Sequence, residues 1–299
     1  MNDTARPSGL RLWLAGARPR TLPAAVVPVA VGSAVAVGQG ADTAWWRAGA
    51  ALVVAVALQV GVNYANDYSD GIRGTDGGDR VGPLRLVGSG TVAAPLVKRA
   101  ATVSFALAGL VGAVLALAVG PELFVVGAAA LVAGWTYTGG PRPYGYLGLG
   151  EVFVFVFFGL VATVGTTYVL LERIDGVSVA CSVAVGLWAT ALLVVNNLRD
   201  IPGDTLAGKR TLAVRIGDRA TRAVYVVMID ATYFVAVGVT LLTGRGAALA
   251  IVGIPFAVGA LHDIVDGAEG PALIGVLSAT GRTQLVSGTA MAVGLALTP

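Results

Sequence analysis

Asn63-Tyr64-Ala65-Asn66-Asp67-Tyr68-Ser69-Asp70-Gly71-Ile72-Arg73-Gly74-Thr75-Asp76 closes an apolar run, Ala48–Ala65, in a chain of 299 residues of which only 12% are charged. Three carboxylates and two asparagines crowd one place in a protein that otherwise avoids charge. Taken as a helix, the segment puts Asn63, Asn66, Asp67 and Asp70 three or four residues apart, along one face. Acids gathered at a membrane boundary are costly without a cation. A second cluster, Asn196-Asn197-Leu198-Arg199-Asp200-Ile201-Pro202-Gly203-Asp204, closes another apolar run. There Asn196, Asp200 and Asp204 stand four apart. Pro202 predicts that the helix ends or kinks near Ile201 and leaves Asp204 on a loop.

The membrane setting follows from composition. The chain is 56% hydrophobic, with mean hydropathy +0.80, too apolar for a soluble domain. Its 42 glycines suit close helix packing in lipid. Nine apolar runs read as spans: Leu22–Gly38, Ala48–Ala65, Ala100–Val119, Leu123–Tyr137, Val152–Leu171, Val177–Val195, Ala223–Leu242, Ala247–Leu261 and Leu285–Leu297. Several are shorter than the ~20 residues a crossing usually needs. With the N-terminus inside, every basic residue except Arg47, Arg173 and Arg245 falls on an inner segment, 17 of the 20. That asymmetry predicts a cytoplasmic N-terminus and an external C-terminus. The long polar loops after the second and sixth runs then face the cytoplasm. No cleavable signal is expected, because Arg11, Arg18 and Arg20 break the first apolar stretch. Leu10–Ala15 reads as an interfacial amphipathic segment anchored by Trp13, or as a plain lead-in.

One cysteine, Cys181, and one histidine, His262, exclude a disulfide framework and a Cys-based or multi-histidine metal site. Hard oxygen ligands suit magnesium, which takes one or two carboxylates, water and substrate phosphate. Asp67, Asp70, Asp200 and Asp204 together bring about four negative charges, which repel strongly at low dielectric. Divalent cations relieve that repulsion and create a place for a diphosphate. Arg73, Arg199, Lys209 and Arg210 stand close by in sequence to meet remaining phosphate charge. Two other readings compete: ion pairs at the membrane surface, and a transporter with an acidic cytoplasmic vestibule. The acids lie at span ends on one side, and only Asp230 lies within a span, which favours the metal–diphosphate reading. Asp230 reads as a hydrogen-bonded interior residue, Glu151 as a helix cap or site residue, and His262, Asp263 and Asp266 as solvated surface.

These residues carry a resemblance. The chain resembles the UbiA superfamily of intramembrane aromatic prenyltransferases. Asn66, Asp67 and Asp70 match its motif Asn-Asp-x-x-Asp-x-x-x-Asp; the last acid would fall at Gly74, and Asp76 follows two residues later. That displaced acid is similar to the branch that prenylates 1,4-dihydroxy-2-naphthoate in menaquinone synthesis. The segments from Ala17 to Pro23, Gly82 to Gly90, Tyr137 to Pro141, Gly148 to Glu151, Asn196 to Asp200 and Gly208 to Arg215 agree with that branch.

The resemblance implies an all-α, polytopic membrane protein of the cell membrane: nine transmembrane helices around a central cavity, under a cytoplasmic loop cap. It implies one prenyltransferase domain over 1–299, with 1–17 as a cytoplasmic or interfacial segment. A polyprenyl diphosphate is the expected donor, Mg2+ the cofactor and membrane lipid the surroundings, with no nucleic acid partner. The expected reaction joins the prenyl group to 1,4-dihydroxy-2-naphthoate with loss of carbon dioxide and diphosphate. Asn66, Asp67, Asp70, Asp200 and Asp204 are expected to hold the metal, and the four acids with Lys209 to form the catalytic set. Arg18, Arg20, Asn63, Asn66, Arg73, Asp76, Arg85, Tyr137, Arg142, Asn197, Arg199 and Arg210 are expected to bind substrate. Transfer to 4-hydroxybenzoate or homogentisate is the alternative within the superfamily.

Overall fold

Lipid offers the backbone no hydrogen-bond partners, so an apolar chain must satisfy its amides within helices or closed barrels. The computed structural model describes residues 9–41, 44–75 and 84–298, and these contain helices and turns but no strand. Helix α1 (Leu10–Ala17) leads into α2 (Pro23–Gly38), and the two segments meet at a 55° bend. Helices α3 (Trp45–Ile72), α4 (Ala94–Val119) and α5 (Glu122–Thr136) follow. Next come α6 (Gly150–Leu171), α7 (Gly176–Leu206), α8 (Leu212–Thr243) and α9 (Gly246–Val265), and finally α10 (Ala272–Leu297).

Six of these helices are long and apolar enough to cross a membrane, and seven if the bent α1–α2 pair is one span. This is fewer than the nine runs of the sequence for two reasons. Helix α5 has 15 residues, short of a full crossing. Helix α10 has 26 residues but carries Arg282, Gln284 and several hydroxyls.

Helix α7 is the centre of the bundle. Its most apolar stretch is 67% buried, against 17% for α4, which faces outward. Cys181, Val185, Trp188, Leu192 and Val195 of α7 join one core with residues of α2, α8, α9 and α10. In lipid, small residues let helices approach closely. A Cβ added to Gly159 of α6 would lie 2.5 Å from the Gly186 Cα of α7. That contact falls where α6 widens into a π-helical stretch, Phe155–Val161.

Helix length then creates the functional end. A crossing takes ~20 residues, and α3 and α7 have 28 and 31. Both carry their polar clusters on their last turns. Helix α7 continues through Pro202 to Leu206, so Asp204 stands on the helix and not on a loop. Proline there forfeits one hydrogen bond near the C-terminus, and the α8 contacts along α7 hold the remaining turns. The α7 N-terminus is capped by Asp175, which accepts from the Ser178 N–H at 3.0 Å. Helix α8 kinks at Gly217, whose φ of 81° suits glycine. Of the two readings the sequence left open for Leu10–Ala15, the structure shows a helix, α1, with Leu10 and Leu14 exposed and Trp13 packed edge-on against Tyr64 of α3.

Candidate active site

The last turns of α3 bury four polar side chains, with exposures of 3% for Asn63, 8% for Asn66, 1% for Asp67 and 3% for Asp70. Buried polar groups need partners, and each has them. Asn63 donates to the Ala17 carbonyl at 2.9 Å and the Thr21 hydroxyl at 3.1 Å. Asn66 accepts from the Thr138 hydroxyl at 2.7 Å. Asp67 accepts from the backbone N–H groups of Leu86 at 2.7 Å and Val87 at 2.9 Å.

Asp70 is the hub. Its carboxylate meets the Arg85 guanidinium at 3.3 Å, the Lys209 ammonium at 3.0 Å and the Tyr146 hydroxyl. From the other side, Asp204 of α7 lies 3.6 Å from the same Lys209 nitrogen. One ammonium thus bridges the acid clusters of α3 and α7. It also sits 4.7 Å from the centre of the Tyr146 ring, a favourable place for a cation. The Lys209 N–H donates to the Asp204 carbonyl at 2.8 Å, and the Arg210 N–H to the Tyr146 carbonyl at 3.0 Å, so the loops carrying these side chains are tied together.

Arg199 is buried and holds its neighbours on α7. Nε and Nη2 donate to the two Asp200 oxygens at 2.8 Å each, and Nη2 also donates to Asn196 at 2.9 Å. This is the bidentate pairing that arginine favours. Arg73 donates to the Thr138 and Gly140 carbonyls and lies 5.3 Å from the Tyr146 ring centre. Burial first, and then the Asp70 carboxylate, raise the Tyr146 phenol above its ordinary value, so it keeps its proton and donates to Asp70.

Beside this polar layer is a cavity of about 470 Å³. Arg18, Asn63, Asn66, Tyr137 and Asn196 line its polar end, and Leu115, Leu123, Phe124 and Val169 its far end. One wall is a row of rings, Tyr137–Tyr144–Phe153–Phe157, with centres 5.5, 3.9 and 6.0 Å apart. The lining is mostly apolar, with polar groups concentrated at one end, as in a pocket for an amphipathic ligand.

The structure therefore brings together Asn66, Asp70, Arg73, Arg85, Asp204 and Lys209, with Asp200 held by Arg199. Asn63, Arg18 and Tyr137 face the cavity. Asn197 does not join them; it is buried and donates to Glu151 at 2.9 Å. Arg20, Arg142 and Arg210 are exposed. Asp76 lies outside the described residues. Thr138, Tyr144, Tyr146, Phe153 and Phe157 belong to the site and were not singled out by the sequence.

The acid clusters also permit a test of the magnesium expectation. Among the described residues, no three carboxylate, histidine or cysteine groups are assembled closely enough to hold a metal ion. The donor chemistry nonetheless fits a hard cation. Asp70 and Asp204 already share one positive charge, the Lys209 ammonium, and Asn66 and Asp200 stand one helical turn from them on the same helices.

A helical membrane bundle with an acid-and-base layer over an apolar cavity defines an integral-membrane protein with an amphipathic pocket. The chain belongs to the UbiA prenyltransferase family, whose model matches residues 25–271. It is 50% identical to the 1,4-dihydroxy-2-naphthoate octaprenyltransferase of Mycobacterium tuberculosis, over 95% of this chain and 96% of that one. It is 39% identical to the Escherichia coli protein of the same name, over 71% and 70% of the two chains. Among solved structures it resembles a UbiA homolog from Aeropyrum pernix K1, with TM-score 0.69 at 15% identity over 91% and 97% of the chains. A UbiA homolog from Archaeoglobus fulgidus bound to DMAPP and Mg2+ matches with TM-score 0.64 at 17% identity over 93% and 98%. At these identities the two structures establish the fold.

Proposed function

We propose that the protein transfers a polyprenyl group from polyprenyl diphosphate to 1,4-dihydroxy-2-naphthoate, releasing diphosphate and carbon dioxide and giving demethylmenaquinol. One observation carries this reading: the Lys209 ammonium joins Asp70 and Asp204 across two helices, one turn beyond Asn66 at the polar end of the cavity. The relatives' names supply the acceptor class.

In this reading Lys209, Arg73 and Arg85 receive the diphosphate, while Arg199 fixes Asp200 and Asn196. Asn66, Asp70, Asp200 and Asp204 would hold magnesium, which when bound would supply Lewis-acid stabilisation of negative charge on the leaving group. The prenyl tail lies along the apolar cavity. As the allylic C–O bond breaks, positive charge on the tail's first carbons faces the row of rings, and ring faces attract a desolvated cation. The apolar lining of the cavity keeps water from that carbon. The ring carbon bearing the carboxylate forms the new C–C bond. That carboxylate then leaves as carbon dioxide, and its bonding pair returns to the ring. Atoms and charge balance with no net proton transfer.

The same reading takes the whole chain as one domain with nine crossings. The bent α1–α2 pair, the short α5 and the polar α10 complete the count, and the loop charges support a cytoplasmic site and an external C-terminus. The test is direct. Purified protein in nanodiscs, given magnesium and a polyprenyl diphosphate, should prenylate dihydroxynaphthoate and release carbon dioxide. Turnover of 4-hydroxybenzoate or homogentisate in its place would overturn the acceptor assignment, and flux without diphosphate release would overturn the reaction class.

A further inference from the structure

We propose that Asp67 is a positioning residue that clamps the loop carrying Arg85, and not a magnesium ligand. The proposal rests on the diphosphate reading above and refines which acids serve it. Successive residues on a helix are about 100° apart around its axis. Asn66 and Asp70, one turn apart, share the face directed at the cavity and Lys209; Asp67 is turned from that face. Its carboxylate is 1% exposed, and its two oxygens each accept a backbone N–H, from Leu86 and from Val87. Hydrogen bonds to an ionised acceptor are the strong kind.

The rest of the loop is fitted to this grip. Leu86 is fully buried among Tyr64, Trp13 and neighbouring side chains of α1 and α3. A Cβ on Gly71 would lie 2.4 Å from a Val87 methyl, so only glycine lets the loop lie this close to α3. The Leu86 carbonyl accepts from the Val92 N–H at 2.9 Å, which closes the turn. Arg85 immediately precedes the two gripped amides, and its guanidinium reaches Asp70 at 3.3 Å. Holding Leu86 and Val87 therefore fixes where the Arg85 side chain departs toward the site. The carboxylate of Asp67 acts on the diphosphate through Arg85, while Asp70, one turn on, faces the site itself.

Amide hydrogen exchange in the full-length protein in nanodiscs, without magnesium or substrate, tests the clamp directly. Peptides covering Leu86 and Val87 should exchange slowly in the wild type. Asp67→Asn should speed their exchange by roughly 10- to 100-fold, the equivalent of one charge-assisted hydrogen bond. In diphosphate-release assays, Asp67→Asn should raise KM for the prenyl diphosphate and be non-additive with Arg85→Gln. The magnesium concentration for half-activation should stay within about 2-fold, whereas losing even an outer-shell partner of a metal ligand typically shifts metal affinity by roughly 10-fold or more, and a direct ligand no less. Fast exchange of these amides in the wild type overturns the proposal, whether or not the variant folds. A 10-fold rise in the magnesium requirement of Asp67→Asn, alongside that of Asp70→Asn, also overturns it. The exchange measurement needs no acceptor, so its failure is distinct from failure of the proposed reaction.

Discussion

Replacing Lys209 with methionine probes the centre of the site, because two opposing effects are separable. The ammonium lies 3.0 Å from Asp70 and 3.6 Å from Asp204. At an effective dielectric of ~20, each pair is worth about 5 kcal/mol of gross attraction. Desolvation of three largely buried ions takes back most of that sum. What the diphosphate loses is one charge-assisted contact, about 2 kcal/mol, or roughly 30-fold in kcat/KM. The acids, however, lose a competing cation. Lys209→Met should therefore activate at lower magnesium than the wild type, even as its catalytic efficiency falls. A magnesium titration of diphosphate release at several donor concentrations reads both quantities. Unchanged efficiency, or a higher magnesium requirement, would refute the idea that this lysine occupies the cation seat between the two helices.

Other outcomes follow from the same geometry. Asp70→Asn leaves the Lys209 and Arg85 charges facing a neutral group, a loss of about 3–5 kcal/mol in buried pairs; prenylation should fall at least ~100-fold, and excess chelator should abolish wild-type activity. Gly165 lines the cavity, and a Cβ there meets nothing within 4 Å. Gly165→Leu should keep the fold while shifting product lengths, read by mass spectrometry, toward shorter tails; unchanged lengths would place the tail elsewhere. Burial and the Asp70 carboxylate raise the Tyr146 phenol above its ordinary value, so its contribution to stability is complete below about pH 10 and is lost as pH climbs through the raised folded value. Thermal melts above pH 10 should show a decline that Tyr146→Phe lessens. Gly159→Ala drives a methyl against the Gly186 backbone and should cost about 1–3 kcal/mol, visible as a lower melting temperature in detergent.

The clusters on α3 and α7 were legible because carboxylates are rare in this chain, and an acid at the end of an apolar run has few cheap explanations. Helical spacing correctly grouped Asn66 with Asp70 and Asn196 with Asp200 and Asp204. It could not show that Asp67 accepts from the amides of Leu86 and Val87, about twenty residues away, because backbone donors leave no mark in sequence. Arg20, Arg142 and Arg210 are near the site along the chain and exposed, so their side chains are not among the buried ion pairs. Tyr146 and Thr138 are neutral loop residues whose role appears only when the loop folds over α3. Pro202 was read as a helix stop from local chemistry, and tertiary packing overrode it. Helix α10 shows the same limit: the apolar run Leu285–Leu297 marks only its second half, and the first half carries polar residues such as Thr283 and Gln284 that are fully buried.

An enzyme of this kind meets a contradictory demand. Its substrate head is strongly anionic, yet the resting site must be stable at the edge of lipid, where unpaired charge is most costly. Acids alone would repel one another, and bases alone would leave nothing to hold a metal. The structure meets the demand by placing three acids beside bases, Asp70 with Arg85 and Lys209, Asp204 with Lys209, and Asp200 with Arg199, and Asp67 against two backbone amides. A metal–diphosphate pair can enter such a layer with little change in total charge. Its cation takes the acids, and its anion takes the bases that the acids release. Arg199 stays with Asp200 and Asn196 through three short bonds, whereas the Lys209 contacts at 3.0 and 3.6 Å are easier to exchange. In the proposed reaction the two basic residues would divide the work: Arg199 would keep Asp200 and Asn196 in place, and Lys209 would move from acid to phosphate.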